Sequence, residues 1–586
     1  MSRPGLPLAL RLGLPVLFLA SIALYLWREQ QRVGPLFGAS GERAKMGLPL
    51  DDSWIHLTFA RNLAEGHGFS YNAGERCSGS TAPLWTGVVA GLYRGLRLAH
   101  EKSAALGKRV AADPDFTDEA LIEIVVAVKV VGVLLCLHAL YLTWRLALRL
   151  TGDRLVAGIA AALLATLDPV LWGSLSGLET SLALWLTLVG LLLHVRAGPA
   201  AFSPSALTAT VAFALAGMCR PEAFLLLPLA LLDRALFLRR PERRGAGFWL
   251  AVGLHVALFA ALLYPYVRLN WLSHGRPFPT TFYSKVQSEG LFQNLGAIVD
   301  SIRNGALDSI PPLLGALFRS FFVWPFELLR EWFVELGYES NAFAIPLAGF
   351  GVVQLLRRRL PAGGRSALVP SLLVLYPMLM GLVLGERRTV HLGQHLRYVT
   401  NLMPVFAIGA GVGLGALLRL VWVRAGRAGW SERARGIAAG LIALPVAVQA
   451  ALGVWNYSDT YAVNVKNIND MQVHLGRWVA RELPREAVLA VNDIGAIAYL
   501  SRRRIIDLEG IATPAILPYK GSDAGLMQFL AERKPHYLMI FPTWYRGLYE
   551  TFKNLTMFPH AIEDNRTCGY YVMMVMHTPW KPENWP

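Results

Sequence analysis

Apolar stretches of about 20 residues, each long enough to cross the hydrocarbon core of a bilayer, recur along most of this chain. A segment in lipid must satisfy its own backbone hydrogen bonds, so such stretches fold as helices. They are read at 9–27, 121–146, 153–171, 177–195, 205–219, 221–238, 247–267, 342–357, 366–384, 398–422 and 435–455. The count is about eleven. Charged residues make up 16% of the sequence, against about 25% in soluble domains. The chain reads as a polytopic α-helical membrane protein.

The net charge of +16 is spread by topology. Arg145, Arg149 and Arg154, then Arg196, then Arg234 to Arg244, Arg357 to Arg365 and Arg424 to Arg435 fall in alternate loops. Short loops rich in arginine stay cytoplasmic, which argues against a nucleic-acid footprint. The N-terminus is then cytoplasmic, and the opposite loops face outward. The stretch 84–98 holds Arg94 and Arg97 and follows Pro83, so it reads as an interfacial helix. The first span reads as a retained anchor, since no small-residue cleavage site follows it.

Two zones follow. Residues 1–456 form the membrane module, with a first outer loop at 28–120 and an outer insertion at 268–341. Residues 457–586 hold no span. They read as helix 471–482, strand 487–491, helix 495–501, strand 504–507, helix 525–534, strand 536–541 and strand 569–576, a small α/β domain outside the membrane. Cys77, Cys136, Cys219 and Cys568 show no metal spacing. Cys77 and Cys568 share the outer side, where a disulfide between them is open.

The chemistry concentrates on that outer side. Asp51 and Asp52 open the segment DDSWIHLTFARNLAEGHG, whose Ile55, Phe59 and Leu63 mark one helix face. An aspartate is a favoured helix cap, but one cap explains one carboxylate, and two adjacent like charges need compensation. The glycine-rich loop that follows carries His67, Tyr71, Asn72, Glu75 and Arg76, which read either as a polar pocket or as a surface turn. Glu179, Arg220, Glu222, Arg268, Lys285, His391, His395 and Arg397 map to the same side, where charge near bilayer depth marks a site or an ion pair. Lys285 and Arg397 are candidate phosphate clamps, with snorkelling as the alternative. His391 and His395, spaced i and i+4, together with Asp51 and Asp52 offer ligands to a divalent ion such as Mg or Mn. No nucleotide or redox cofactor is expected. In the tail, Asp493, Asp507 and Glu509 stand at strand ends, where α/β domains bind ligands; they are candidate acceptor contacts.

The stretch DDSWIHLTFARNLAEGHGFSYNAGERCSGSTAPLWT resembles the first outer loop of the GT-C superfamily of polyprenyl-phosphate-dependent glycosyltransferases. It looks closest to the branch of the mycobacterial terminal arabinofuranosyltransferase. SGLETSLAL around Glu179, LAGMCRPEAFLLLP around Arg220 and Glu222, RLNWLSHGRPFPTTFYSK from Arg268 to Lys285, HLRYVTNLMP with Arg397, and VNDIGAIAYLSRRRIIDLEGI fit in the same order. The resemblance implies a GT-C-like bundle with interfacial helices after its first span and a periplasmic α/β domain. It implies a lipid-phosphate sugar donor, a glycan, lipid or protein acceptor, and an inverting transfer with Asp51 or Asp52 as general base. Arg220 and Arg268 join Lys285 and Arg397 around the donor phosphate. Ser53-Trp54 and Ser80-Thr81-Ala82 flank the implied donor pocket and depart from the branch's usual residues, which leaves the sugar open. The expected location is a bacterial plasma membrane.

Two rival classes remain at this level. A transporter or lipid flippase would show paired repeats and interrupted helices, and neither is visible in the sequence. An envelope assembly protein would use the bundle only as scaffold.

Overall fold

The computed structural model describes residues 8–33, 46–105, 118–238, 245–285, 291–336, 341–357, 367–384 and 395–586. The chain begins with α1 (Leu8–Val33), α2 (Asp51–Ala64), α3 (Pro83–Ala105) and α4 (Asp118–Thr151). Next come α5 (Arg154–Leu164), α6 (Asp168–Leu175), α7 (Thr180–Ala197), α8 (Pro204–Gly217), α9 (Leu226–Asp233) and α10 (Ala246–His274). Four shorter helices follow: α11 (Thr280–Lys285), α12 (Leu291–Arg303), α13 (Ile310–Phe322) and α14 (Trp324–Leu336). The bundle is completed by α15 (Ala344–Arg357), α16 (Leu368–Leu384), α17 (Met403–Arg427) and α18 (Glu432–Ile468).

Among the described residues, six helices are long and apolar enough to cross a membrane, or up to eight if each bent pair is one span. The bent pairs are α5–α6, at 54°, and α13–α14, at 41°. Pro169 sits in the first turn of α6, where its missing N–H costs nothing but where it stops α5 from continuing. Helices α8, α15 and α16 are apolar but shorter. The amphipathic α3 is not among the candidate spans.

Several charged and polar side chains of the bundle are paired. Lys129 on α4 donates to both oxygens of Glu29 on α1 at 2.8 Å, and Tyr461 on α18 donates to the same carboxylate at 3.2 Å. Glu123 meets His100 at 2.6 Å, and His138 accepts the Trp185 indole at 2.8 Å. His194 and His255 are also partnered, by Asp233 and Thr210. Such pairing is what a charged group near lipid depth requires. Helices α15 and α17 touch backbone to backbone: a Cβ on Gly351 would lie 1.9 Å from the Gly409 carbonyl oxygen, so only glycine permits that crossing.

Helix α18 runs unbroken past residue 457, and a π turn (Asn469–Val473) joins it to α19 (His474–Glu482). The rest of the tail is β1 (Val488–Val491), α20 (Gly495–Ser501), β2 (Arg504–Asp507), α21 (Asp523–Arg533), β3 (Tyr537–Ile540), α22 (Arg546–Phe552), β4 (Thr556–Ala561) and β5 (Val572–His577). The sheet order is β2-β1-β3-β5-β4, with β2, β1 and β3 parallel and β5 antiparallel to both β3 and β4. Helix α22 and strand β4 have no counterpart in the sequence reading. Pro559 lies inside β4, which a periodicity argument rejects as a strand; the sheet tolerates it because β4 is an edge.

All four cysteines are free and buried. The Cys77 thiol faces the Ala512 carbonyl at 3.4 Å and Cys568 faces Gln472 at 3.4 Å, so the disulfide left open between them is not formed.

Candidate active site

The aspartate pair splits. Both belong to the first turn of α2, whose backbone starts at an extended Leu50, so successive side chains diverge around the helix axis. Asp51 is 6% exposed and points at the C-terminal domain. There Gly495 donates to its Oδ2 at 2.6 Å and Ala496 to its Oδ1 at 2.8 Å. Both oxygens thus serve the first amides of α20, the groups a helix leaves unpaired at its start. Burial pushes the Asp51 carboxyl up to about 7, the two amides oppose the shift, and the charge of Asp52 adds to it.

Asp52 has a side chain 34% exposed, and its Oδ2 accepts from Arg397 at 2.8 Å. Arg397 follows His395 and Leu396, two non-glycine residues at φ 57° and 50°. Left-handed backbone there is strained, and it turns Arg397 toward α2. The guanidinium also donates to the Tyr398 hydroxyl at 3.2 Å. Its Nε is buried without a hydrogen-bond partner. Burial works against the Arg397 charge, but Tyr398 and Asp52 outweigh it and hold its pKa above the ordinary arginine value.

A second arginine stands behind the first. Arg220 donates to the Arg397 carbonyl, lies 4.6 Å from the centre of the Tyr398 ring and pairs with Glu179 at 3.2 Å. Arg397 lies 5.0 Å from that ring, so one tyrosine serves two cations. Glu179 meets His56 at 3.0 Å, His56 meets Ser80 at 3.4 Å, and Ser80 meets Thr86 at 3.1 Å. One polar chain therefore runs from Asp52 through both arginines to the start of α7 and the loop before α3. Beside it, one Glu222 oxygen is buried with no hydrogen-bond partner.

His56 and Tyr398 escaped the sequence reading. His56 stands i+4 from Asp52 on one helix face, a signal the chain did carry; Tyr398 is visible only in the fold.

Several candidates lie elsewhere. Tyr71 is buried and donates to the Ile494 carbonyl at 2.8 Å; Asn72 pairs with both backbone groups of Ile505, at 3.0 and 2.9 Å. Glu75 binds Arg504 at 2.9 Å on the surface, and His67 and Arg76 are exposed. Trp54 is buried against Tyr499, ring centres 5.4 Å apart. Tyr71, Asn72, Glu75 and Trp54 thus fasten α2 and the loop after it to the C-terminal domain. They do not line the Asp52 site, because that loop lies against the β2 edge and α20. Arg268 is exposed on α10. Lys285 ends α11, whose Ser284 donates to the Glu509 carbonyl; the Lys285 side chain lies outside the described residues, as does His391.

His395 stacks on Trp172, centres 4.6 Å apart, and takes a hydrogen bond with Asn464 at 2.8 Å. Burial and Arg397 lower its pKa to about 4, so the ring is neutral near pH 7. Among the described residues no three His, Cys, Asp or Glu side chains converge as a metal site, and Asp51 spends both oxygens on amides. His391, expected to hold a divalent ion together with Asp51 and Asp52, lies outside the described residues.

In the tail, Asp507 accepts from the Glu509 and Ala512 amides at 2.8 and 2.6 Å, which makes it a turn-former. Glu509 binds Lys520 at 2.6 Å and Tyr545 at 2.5 Å. Asp493 accepts from Gln472 at 2.5 Å. Burial and then the charge of Asp51 raise its pKa well above the carboxylate range.

Residues 466–575 match a family described as a domain of unknown function (DUF8728). No protein of curated function matches the sequence. Solved structures resemble the fold over nearly the whole chain. The oligosaccharyltransferase AglB of Archaeoglobus fulgidus, in complex with an inhibitory peptide and a dolichol-phosphate, is 13% identical with a TM-score of 0.55, covering 99% of this chain and 76% of its own. ArnT of Cupriavidus metallidurans, bound to undecaprenyl phosphate, is 13% identical with a TM-score of 0.50, covering 97% and 99%. The fold is like that of AglB and ArnT. At that identity the likeness establishes architecture, a multi-pass helical bundle with a small sheet domain.

Proposed function

We propose that this GT-C-like protein is a membrane glycosyltransferase using a polyprenyl-phosphate sugar donor. One observation carries the reading: a partly exposed Asp52 sits 2.8 Å from an arginine whose Nε is buried and unpartnered. A base and a cation with a spare donor, side by side at the end of an apolar bundle, suit a hydroxyl nucleophile and a phosphate leaving group. AglB and ArnT, the fold relatives, were solved with dolichol-phosphate and undecaprenyl phosphate.

In this mechanism the acceptor hydroxyl gives its proton to Asp52 as its oxygen bonds to the anomeric carbon. The bond from that carbon to the phosphate oxygen breaks from the opposite face, and its electron pair leaves with the phosphate. Configuration inverts. Arg397, backed by Arg220, stabilises the departing anion, a contribution of about 10²–10³ in rate for a well-placed donor. A positioned base adds about 10²–10⁴. Asp51 holds the roof of the site and has no role in proton transfer.

The arginine-rich alternate loops favour a cytoplasmic N-terminus and a sheet domain on the periplasmic face. The acceptor is an envelope glycan, lipid or protein. The first-loop resemblance makes arabinofuranose the sugar to try first. The test is transfer by the purified protein in liposomes from decaprenyl-phosphoryl-arabinofuranose and other polyprenyl-phosphate sugars, with Asp52→Asn as control. Wild-type consumption of one donor, lost in the variant, supports the reading; equal turnover by Asp52→Asn removes it.

A further inference from the structure

Two neighbouring helices of the bundle carry matched stripes. On α4, Leu134, His138, Tyr141 and Arg145 recur every three or four residues and so share one face; Leu134 is 58% exposed and Tyr141 43%. On α7, Trp185, Val189, Leu192 and Arg196 follow the same spacing, each exposed or half-buried. The two faces adjoin in register. The Trp185 indole donates to His138 at 2.8 Å and Arg149 donates to the Arg196 carbonyl at 3.4 Å, both pairs 47 positions apart. An equal offset at two levels means that the helices run parallel, with an apolar and aromatic furrow between them. From Leu134 to Arg145 α4 rises about 16 Å, roughly half of a hydrocarbon core about 30 Å thick. That is the depth of one leaflet.

The furrow ends in three cations. Arg149 lies within electrostatic reach of both Arg145 and Arg196. Arg145 donates to the Tyr141 hydroxyl at 2.7 Å, and among the described residues none of the three arginines meets a carboxylate. The acid that follows in the chain, Asp153, serves the Leu155 and Val156 amides and pairs with Arg419. Like charges held together cost free energy unless an anion compensates, and arginine forks take phosphate oxygens in pairs. An arginine that only sets topology sits in a loop. Arg145 and Arg149 stand half-buried on the body of α4, in line with its apolar stripe. The Asp52 site is elsewhere: its Glu179 caps the opposite end of α7 from Arg196, about 25 Å along the axis.

We infer that Arg145, Arg149 and Arg196 bind the phosphodiester of an anionic glycerophospholipid, whose acyl chains lie in the furrow between α4 and α7. Basic pockets between spans take such headgroups. A free phosphate would use the cations and leave the furrow bare. The inference stands apart from the transfer reaction and needs no part of it.

The test is native mass spectrometry of the full chain in neutral detergent, titrated with phosphatidylglycerol and, in parallel, with phosphatidylcholine. The wild type should bind at least one phosphatidylglycerol in clear preference to phosphatidylcholine. Arg145→Gln combined with Arg149→Gln should weaken phosphatidylglycerol binding about fivefold per arginine and leave phosphatidylcholine unchanged. Arg424→Gln combined with Arg427→Gln removes the same charge from exposed positions at the end of α17 and should leave both lipids unchanged. Should the first glutamine variant fail to fold, Arg145→Lys combined with Arg149→Lys, which keeps the charge and loses the fork, should still lower the affinity. Equal binding of the two lipids by the wild type, or unchanged affinity in the Arg145 and Arg149 variants, overturns the site. An equal loss in the Arg424 and Arg427 variant makes the attraction a diffuse one and overturns it too. Displacement of phosphatidylglycerol by inorganic phosphate shows a site for the bare anion, and the lipid assignment fails.

Discussion

The carboxylate of Asp51 leaves the first outer loop and accepts the amide of Gly495, deep in the sequence of the C-terminal domain, at 2.6 Å. A second amide, from Ala496, binds its other oxygen. The contact is so close that a Cβ on Gly495 would sit 2.1 Å from the Asp51 carbonyl oxygen. Asp51→Ala strands two buried donors, a loss of about 1–3 kcal/mol each. Gly495→Ala should loosen the same joint. Limited proteolysis should release the tail faster in either variant, and the double variant should be less damaged than the sum of the two. Asp52→Asn should leave proteolysis unchanged.

The joint should respond to pH. A carboxyl raised from its ordinary value to about 7 in the folded protein binds more protons folded than unfolded across that interval. Its contribution is therefore greatest below the unfolded value near 4 and falls as pH rises to about 7, then stays level. Asp493, raised in the same direction, adds to the slope. The difference in thermal midpoint between wild type and Asp51→Asn, measured from pH 4 to 8, should shrink in the wild type's disfavour with that shape. A flat difference would rule out burial as the dominant influence on Asp51.

Arg397 holds Asp52 with Nη1 at 2.8 Å while its Nε is buried without a partner. Arg397→Lys keeps the charge and loses the planar fork. Donor turnover should fall by about 10²–10³, with Arg220→Lys less severe because Arg220 acts through the Tyr398 ring and the Arg397 carbonyl. Lipid-donor kinetics on the two variants would check the order.

Asn72 completes the edge of β2 by bonding both the N–H and the C=O of Ile505. An exposed strand edge invites mispairing. Asn72→Ala should cost about 1–2 kcal/mol and raise hydrogen exchange at Ile505, with donor turnover held near wild type.

The helical bundle was legible because apolar length is a local property of the sequence. The strands β1, β2, β3 and β5 were legible for the same reason, while β4 was hidden by Pro559. The site was legible by residue type rather than by grouping. Arg397, Arg220, Glu179 and Asp52 were all singled out as charged groups on one side, but nothing local joins them. Tyr398, which lies between the two arginines, and His56, which extends the chain beyond Glu179, look like ordinary turn and helix residues. Asp51 illustrates the limit best: its partner lies 444 positions away, so a doublet that read as one chemical unit is in fact one structural acid beside one reactive candidate.

Helix α18 passes without interruption from the bundle into the C-terminal domain, continuing through a π turn into α19. A stiff shaft of this kind transmits torque instead of absorbing it. Any tilting of the sheet layer must then be matched by rotation of a rod packed within the bundle, so the two parts move together rather than hinge.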